Sequence, residues 1–379
     1  MSAASAPRIE ALIAEAQRVL SICNACRYCE GFCAVFPAMA RRLTFTEADI
    51  SYLANLCHNC GACLYACQYA PPHEFQLNFP RVLAQVRNET YRSYAWPEPF
   101  ARAFERNGTV VSLATAASLA LVFLFSAWYA SPERLFAAWS DAQGSFYAVI
   151  PHGVMAGAFG AVFALAVFAL AMSFARFWPG MGEDAAAFLR AQPLASATWD
   201  ALGLKYLDGG GDGCTYPDER PSFARRTFHH FTFYGFLLCF VATTVATLYH
   251  YGLGLKAPYP LSSLPVMLGI AGGAGLIVGP VGLMWLRARR DPLLGDPRQS
   301  GMDTGFLVLL LLIAATGLAL LLLRESRAMG TLLAAHLGVV LALFLTLPYG
   351  KFVHGLYRFA ALVRFHVERR RPLAQIGAE

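Results

Sequence analysis

The sequence predicts an all-α protein with a helical N-terminal domain, residues 1–100, and six transmembrane helices within residues 101–379. Three observations lead to this prediction. Eight of the ten cysteines form two runs near the N-terminus, and residues 1–100 show no alternating strand pattern. Long apolar stretches follow residue 108, and only 14% of the chain is charged, against about 25% in ordinary soluble domains.

The two cysteine runs share the spacing C-x2-C-x2-C-x3-C, which is typical of bacterial ferredoxins with [4Fe–4S] clusters. The first run is Cys23, Cys26, Cys29 and Cys33, and the second is Cys57, Cys60, Cys63 and Cys67. The fourth cysteine of such a run commonly binds the other cluster. We therefore predict one cluster bound by Cys23, Cys26, Cys29 and Cys67, and a second bound by Cys57, Cys60, Cys63 and Cys33.

A zinc site and a disulfide framework are the alternatives for these cysteines. Zinc ribbons use two C-x2-C pairs rather than two runs of four. Disulfides are not expected because residues 1–22 lack a secretory signal. The proline that usually follows the fourth cysteine is replaced by Ala34 and Gln68, so we expect a different turn there but the same ligands.

The segments beside the cysteines show helical patterns. Apolar residues recur at helical spacing before the first run, and Thr44 or Thr46 is the expected N-cap of a helix between the runs. Another helix begins at Phe79, and Pro97 and Pro99 mark a linker. These patterns predict an α-helical ferredoxin-like domain rather than the small βαβ type.

Six apolar stretches are each close to the length of about 20 residues that crosses a bilayer. They are Thr109–Ala130, Phe146–Ala175, Phe228–Leu253, Ser263–Leu286, Asp303–Leu323 and Gly330–Gly350.

Lysine and arginine residues in the connections predict the orientation of these spans. Sixteen of them lie on the side that holds the 176–227 loop and the C-terminal tail, and four lie on the opposite side. This bias places both termini, the loop and the cysteine domain in the cytoplasm. It also accounts for the net charge of +6, and no basic run interleaved with aromatics in the soluble part indicates nucleic-acid binding.

Glycines are organised in two ways. The G-x3-G pairs Gly153–Gly157, Gly269–Gly273 and Gly275–Gly279 predict close helix packing. The segment Asp208–Cys214 is glycine-rich, but it lacks the Lys-Ser/Thr ending of a P-loop and a preceding strand. We therefore expect a flexible cytoplasmic loop there, and Cys214 alone is too little to indicate a thiol enzyme.

Ionisable residues inside membrane spans are costly and usually functional. His229 and His250 lie at opposite ends of the third span, His336 lies near the outer start of the sixth, and His354 lies just past its inner end. Their separations of 21 and 18 positions keep each pair near one helix face at about 100° per residue. Since the two spans are antiparallel, this pattern predicts bis-histidine haem b sites from His229 with His354 and from His250 with His336.

Other interpretations of these histidines remain open at this stage. Each histidine could be an interfacial residue that bonds water or backbone, and there could be one haem or two. His152 and His230 are the substitute ligands if a pairing is wrong. Arg225 and Arg226, which precede His229, are the candidate partners of the haem propionates.

Several motifs together resemble the tricarballylate (citrate) utilization protein B family. Besides the cysteine runs, they are Ile150–His152, Gly209–Cys214, Arg225–Phe236, Leu248–Tyr251, Ser263–Pro265, His336–Gly338 and Pro348–His354. The resemblance implies a multi-pass iron–sulfur and haem b protein of the bacterial inner (cytoplasmic) membrane. It also implies a separate flavoprotein dehydrogenase as partner, which this chain would reoxidise, with quinone as the acceptor.

Two functions are therefore compared. The first is an electron-transfer subunit of an oxidoreductase system of the flavoprotein:quinone type, and the sequence leaves open whether the chain is itself an enzyme. The second is a transporter or membrane anchor with an iron–sulfur redox sensor. Transporters have charge-lined, broken helices near the midplane, whereas these spans carry no acidic residue at mid-depth, so electron transfer is favoured.

Overall fold

The structure, a computed structural model, describes residues 6–139 and 144–372. It is all-α, as predicted, and its described residues contain only a single two-stranded antiparallel ribbon of sheet. The N-terminal region holds α1 (Ala6–Cys26), α2 (Val35–Met39), α3 (Glu47–Leu56), α4 (Ala62–Tyr65) and α5 (Phe79–Tyr94), followed by a 3-10 helix, Glu98–Phe104.

The predicted N-terminal helices form, and their caps explain where they begin. The Thr46 hydroxyl accepts a hydrogen bond from the Asp49 amide at 3.2 Å, and the Asp49 carboxylate accepts one from the Thr46 amide at 3.2 Å. This capping box starts α3 and selects Thr46 over Thr44. Asn78 caps α5 through the Arg81 amide at 3.1 Å.

The remaining elements continue in chain order. They are α6 (Asn107–Leu135), α7 (Ser145–Val149), α8 (His152–Gly180), α9 (Ala185–Phe188), α10 (Ala191–Leu202), β1 (Cys214–Thr215), β2 (Pro221–Ser222), α11 (Ala224–Leu253), α12 (Leu264–Ala288), α13 (Ser300–Leu322), α14 (Met329–Thr346) and α15 (Val353–Glu368).

Within the described residues, α6, α8, α11, α12, α13 and α14 are long and apolar enough to cross a membrane. The predicted number of spans is therefore confirmed, but the start of the second span is wrong. The predicted stretch from Phe146 is interrupted at Pro151, because a residue before proline avoids helical geometry, and Ile150 is extended at φ −135°. The spanning helix starts afresh at His152.

The transmembrane helices pack unequally. The closest pair is α11 with α12, where glycines bring the backbones together: Cβ atoms at Gly275 and Gly279 would collide with Phe231 and Thr232. This confirms packing for the Gly275–Gly279 pair, whereas Gly153 and Gly157 have no neighbour within 4 Å of a built Cβ. The helices α6, α13 and α14 form a second group.

The two groups join where α12 packs on α13. In the described chain α11 and α14 do not pack closely on each other, and α8 contacts α14 and α15. Aromatic side chains bridge the middle, because the Phe163 ring lies 6.0 Å from Phe240 and 5.1 Å from Phe344 between centroids.

The connections and the tail fold onto the cysteine domain. One hydrophobic core joins α1–α5 to the end of α8, to α9 and α10, and to α15. Tyr357 of α15 stacks on Tyr91 at 5.5 Å and packs edge-on against Phe177 at 4.5 Å. The predicted 176–227 loop and the described part of the C-terminal tail therefore pack against α1–α5. These segments together are called the extramembrane unit below.

Buried charges hold α15 in place. Arg364, 6% exposed, pairs with Glu368 at 3.0 Å and with Asp49 at 3.3 Å, and its guanidinium lies 4.2 Å from the Tyr52 ring centroid. Arg42 pairs with Asp49 at 2.6 Å and also with Glu368. Two arginines thus flank Tyr52 and tie α15 to α3.

Candidate iron–sulfur and haem sites

The eight cysteines of the two runs border two cavities. A cavity of about 260 Å³ is lined by Cys23, Cys26, Cys29 and Cys67, and also by Cys63. A smaller one is lined by Cys33, Cys57, Cys60 and Cys63. Each cavity therefore includes three cysteines of one run and the fourth cysteine of the other, and Cys63 borders both cavities. The assignment of four cysteines to each cluster stays a prediction.

Local backbone geometry turns each run back on itself. The residue after the second cysteine has positive φ in both runs, with Arg27 at 54° and Gly61 at 88°. Glycine is required at the second position, because a Cβ on Gly61 would overlap the Thr215 carbonyl oxygen. The first run begins inside α1, which carries both Cys23 and Cys26.

The thiols fit iron–sulfur ligation chemically. Burial, with neighbouring thiols, raises the pKa of Cys29 to about 12 and raises that of Cys23 further. Such thiols cannot ionise together unless bound metal supplies positive charge. Among the described residues, no three Cys, His, Asp or Glu side chains lie close enough to hold a single ion.

The glycine-rich segment is not a flexible loop, contrary to expectation. A Cβ on Gly210 would touch Phe32, β1 pairs with β2 through Cys214 and Ser222, and Cys214 is fully buried. The Cys214 thiol and the Ala62 amide hydrogen-bond the Cys60 sulfur and, although burial opposes them, lower the pKa of Cys60 to about 7. The segment thus packs against Phe32 and Cys60, two residues that line the smaller cavity.

His229 and His354 meet as predicted, at the extramembrane end of α11. Their ring centroids are 6.1 Å apart with the planes at 78°. Two imidazoles on opposite sides of one iron, with metal–nitrogen bonds of about 2 Å, have centroids about 6 Å apart, so the pair fits axial ligation. His354 directs Nδ1 to the Lys351 carbonyl at 2.5 Å, which leaves Nε2 free.

The charge state of this pair also suits ligation. Burial, helped by Arg358 and Lys351, holds the pKa of His354 well below its usual value, so the ring is neutral. The Nδ1 atom of His229 is buried without a partner. Neutral imidazole with a free nitrogen is the form that binds haem iron.

The other histidines are arranged differently from the prediction. His250 stacks on His152 at 3.6 Å between centroids, and Tyr147 lies 3.4 Å from its Nδ1. His336 instead contacts α13, with Nδ1 3.1 Å from the Thr316 hydroxyl. The structure thus gives His250 the substitute His152 as neighbour, because the break at Pro151 starts α8 beside the last turn of α11.

The stacked arrangement of His152 and His250 does not fit a haem. Rings stacked 3.6 Å apart leave no room for an iron between them, since bis-histidine ligation needs about 6 Å between centroids. The second substitute, His230, lies against Tyr234 with centroids 5.7 Å apart. Of these histidines, only His229 and His354 have the spacing that a bis-histidine site would need.

The two candidate propionate arginines have protein partners. Arg225 donates to the Asn59 carbonyl at 2.5 Å and lies 4.4 Å from the Tyr216 ring centroid. Arg226 donates to the Gly203 carbonyl at 2.7 Å. Both side chains join α11 to the extramembrane unit, so the structure lends no support to their predicted role.

Sequence reasoning missed three residues between the smaller cavity and the histidine pair. Arg358 donates to the Cys57 carbonyl at 2.9 Å, and Arg87 donates to the same oxygen at 2.8 Å. His58, which is buried, follows Cys57 and lines the cavity. A signal for Arg358 was present, because it lies one helical turn after His354.

Two runs of cluster-type cysteines in a helical unit, joined to six helices that can span a membrane, define an iron–sulfur membrane protein. A family profile described as citrate utilization protein B matches residues 103–375, and one for the Fer4-like domain of the same family matches residues 16–93. The chain belongs to the citrate utilization protein B family.

A curated relative supports this assignment. The chain is 55% identical over 359 residues to a citrate utilization protein B of Escherichia coli, and the match covers 94% of this chain and 93% of the relative. No solved structure matches the chain.

Proposed function

We propose that this chain is a membrane electron-transfer protein for citrate or tricarballylate utilization. It takes electrons from a separate flavoprotein dehydrogenase and passes them through two [4Fe–4S] clusters and haem b to quinone in the inner membrane. It is thus an electron-transfer subunit of a flavoprotein:quinone oxidoreductase system. Both termini and the cysteine domain lie in the cytoplasm in this proposal, in keeping with the arginine-rich connections.

The observation that carries the proposal is the continuity between the smaller cysteine cavity and the histidine pair. Arg358 contacts the Cys57 carbonyl, and His354 lies one turn earlier on α15. Clusters and haem, when bound, exchange single electrons and need not take up or release a proton. The protein's part is to hold them with cysteine thiolates and neutral imidazoles, and to bury the route between them.

Contacts around Gly61 and Asn59 fix the position of the second cysteine run. Leu294 and Thr215 close over Gly61, and Asn59 donates to the Leu294 carbonyl at 2.6 Å. The connection between α12 and α13 is thereby fastened to the second cysteine run. This attachment supports a cluster at the membrane surface rather than on a detached domain.

A transporter or membrane anchor with a redox sensor is the second candidate. The described spans carry no acidic residue at mid-depth. Asp303 lies in the first turn of α13 and pairs with Lys351 at 2.7 Å and Arg287 at 2.6 Å. Such a function would require neither the His229–His354 geometry nor a quinone.

The test is a reduced-minus-oxidised optical spectrum of the purified chain, with iron and haem assays. We expect about eight non-haem irons and one haem b per chain, together with reduction by the flavoprotein partner and reoxidation by quinone. Clusters without haem, and without quinone reactivity, would instead support the redox-sensor alternative.

A further inference from the structure

We propose that Arg358 and Arg87 raise the reduction potential of the cluster bound by Cys33, Cys57, Cys60 and Cys63. This second cluster is then the electron acceptor from the first, and the donor toward the His229–His354 pair. The inference rests on the proposed function, specifically on the assignment of these four cysteines to one cluster.

The geometry places two positive charges on one ligand residue. The Cys57 carbonyl accepts from Nη2 of Arg358 at 2.9 Å and from Nη1 of Arg87 at 2.8 Å. Arg87 is only 4% exposed, and Nε of Arg358 is buried without a hydrogen-bond partner. Neither guanidinium forms an ion pair with a carboxylate among the described residues, so these charges are not neutralised by the protein around them.

Uncompensated buried charge acts strongly because the local dielectric is low. Reduction adds one negative charge to a cluster, and nearby positive charges stabilise that reduced form. Net charge and hydrogen bonding near the cysteines are among the factors that set cluster potentials. One electron passes from the first cluster to the second, and no bond or proton changes, so the arginines alter only the driving force.

The first cluster site lacks this arrangement. The arginine nearest its ligands in sequence is Arg27, which is exposed and donates to the Asn24 carbonyl at 3.1 Å. Solvent screens such a charge. Tyr28, which lines the larger cavity, is 70% exposed, so the first site faces solvent and the second faces the membrane helices.

The experiment compares Arg358→Gln, Arg358→Lys and Arg27→Gln in the full chain. Glutamine can still donate to the Cys57 carbonyl but carries no charge, whereas lysine keeps the charge. Potentials are measured by redox titration followed by low-temperature EPR, and the signal altered by Cys60→Ser identifies the second cluster. Arg87→Gln provides an independent variant if Arg358→Gln does not fold.

In Arg358→Gln or Arg87→Gln we expect the ratio of oxidised to reduced second cluster to rise at least tenfold at a given potential. This corresponds to a fall of about 59 mV in the reduction potential of a one-electron couple. The first cluster should be unchanged, and Arg358→Lys and Arg27→Gln should resemble the parent. A shift below twofold, equal shifts of both clusters, or an Arg358→Lys shift equal to that of glutamine would overturn the inference. A parent chain without two clusters would instead refute the ligand assignment.

Discussion

Replacement of Arg364 by methionine tests how the C-terminal helix is fixed to the cysteine domain. The side chain is 6% exposed and contacts Glu368, Asp49 and Glu183 at 3.0, 3.3 and 3.6 Å. Methionine has a similar volume, so the change removes mainly the charge and its hydrogen bonds. Each carboxylate keeps another arginine, Arg42 or Arg371.

Removing one partner of a buried ion pair lowers the free energy of unfolding by about 3–5 kcal/mol. Because Arg42 and Arg371 still pair with the carboxylates, we expect a loss near the lower value, about 3 kcal/mol. For a unit of 150–250 residues, 1 kcal/mol shifts the melting temperature by about 2–4 °C. The expected loss is therefore about 6–12 °C in apparent melting temperature, measured at a fixed scan rate on the purified chain.

Arg18→Met is the matched control. Arg18 also pairs with a glutamate, Glu15 at 2.7 Å, but its side chain is 40% exposed. Exposed pairs contribute at most about 1 kcal/mol, so this variant should melt within about 4 °C of the parent. If Arg364→Met shifts the melting temperature no more than Arg18→Met does, the buried network does not hold α15 as described.

Three further predictions follow from the sites and the helix packing. Cys60→Ser should reduce the non-haem iron content from about eight to about four per chain, and near-stoichiometric zinc without iron–sulfur absorbance would contradict the cluster assignment. A cysteine at Glu133 should be labelled from outside intact cells and one at Asp212 should not; the reverse pattern would overturn the orientation. Gly279→Ala should destabilise the α11–α12 pair by about 1–3 kcal/mol. Gly269→Ala should melt like the parent, because a Cβ there has no neighbour within 4 Å. Equal melting temperatures of the two variants would refute the packing argument.

Features that depend on a short stretch of chain were predictable from the sequence. The spacing of the cysteines predicts their grouping, since the two runs are short and pack together. Apolar length alone predicts six helices that can span a membrane. The Thr46 cap follows from its own side chain and that of Asp49 three residues later.

Features that depend on which helices become neighbours were not predictable in the same way. Helical periodicity fixes the face on which His250 and His336 lie, but it does not specify the helix that each face meets. The break at Pro151 brings His152 to His250, and glycines draw α11 toward α12. The burial of Cys214 against Cys60 depends on contacts between residues more than 150 positions apart, which no local pattern reveals.

The measurement that tests the central claim most directly is haem and iron content in His229→Ala, His354→Ala and His336→Ala. His229→Ala and His354→Ala should lose the haem b absorbance and keep about eight non-haem irons, because the histidine pair binds the haem while the cysteines bind the clusters. His336→Ala should keep both. Full haem in His229→Ala and His354→Ala, or a parent chain without haem, would contradict the account.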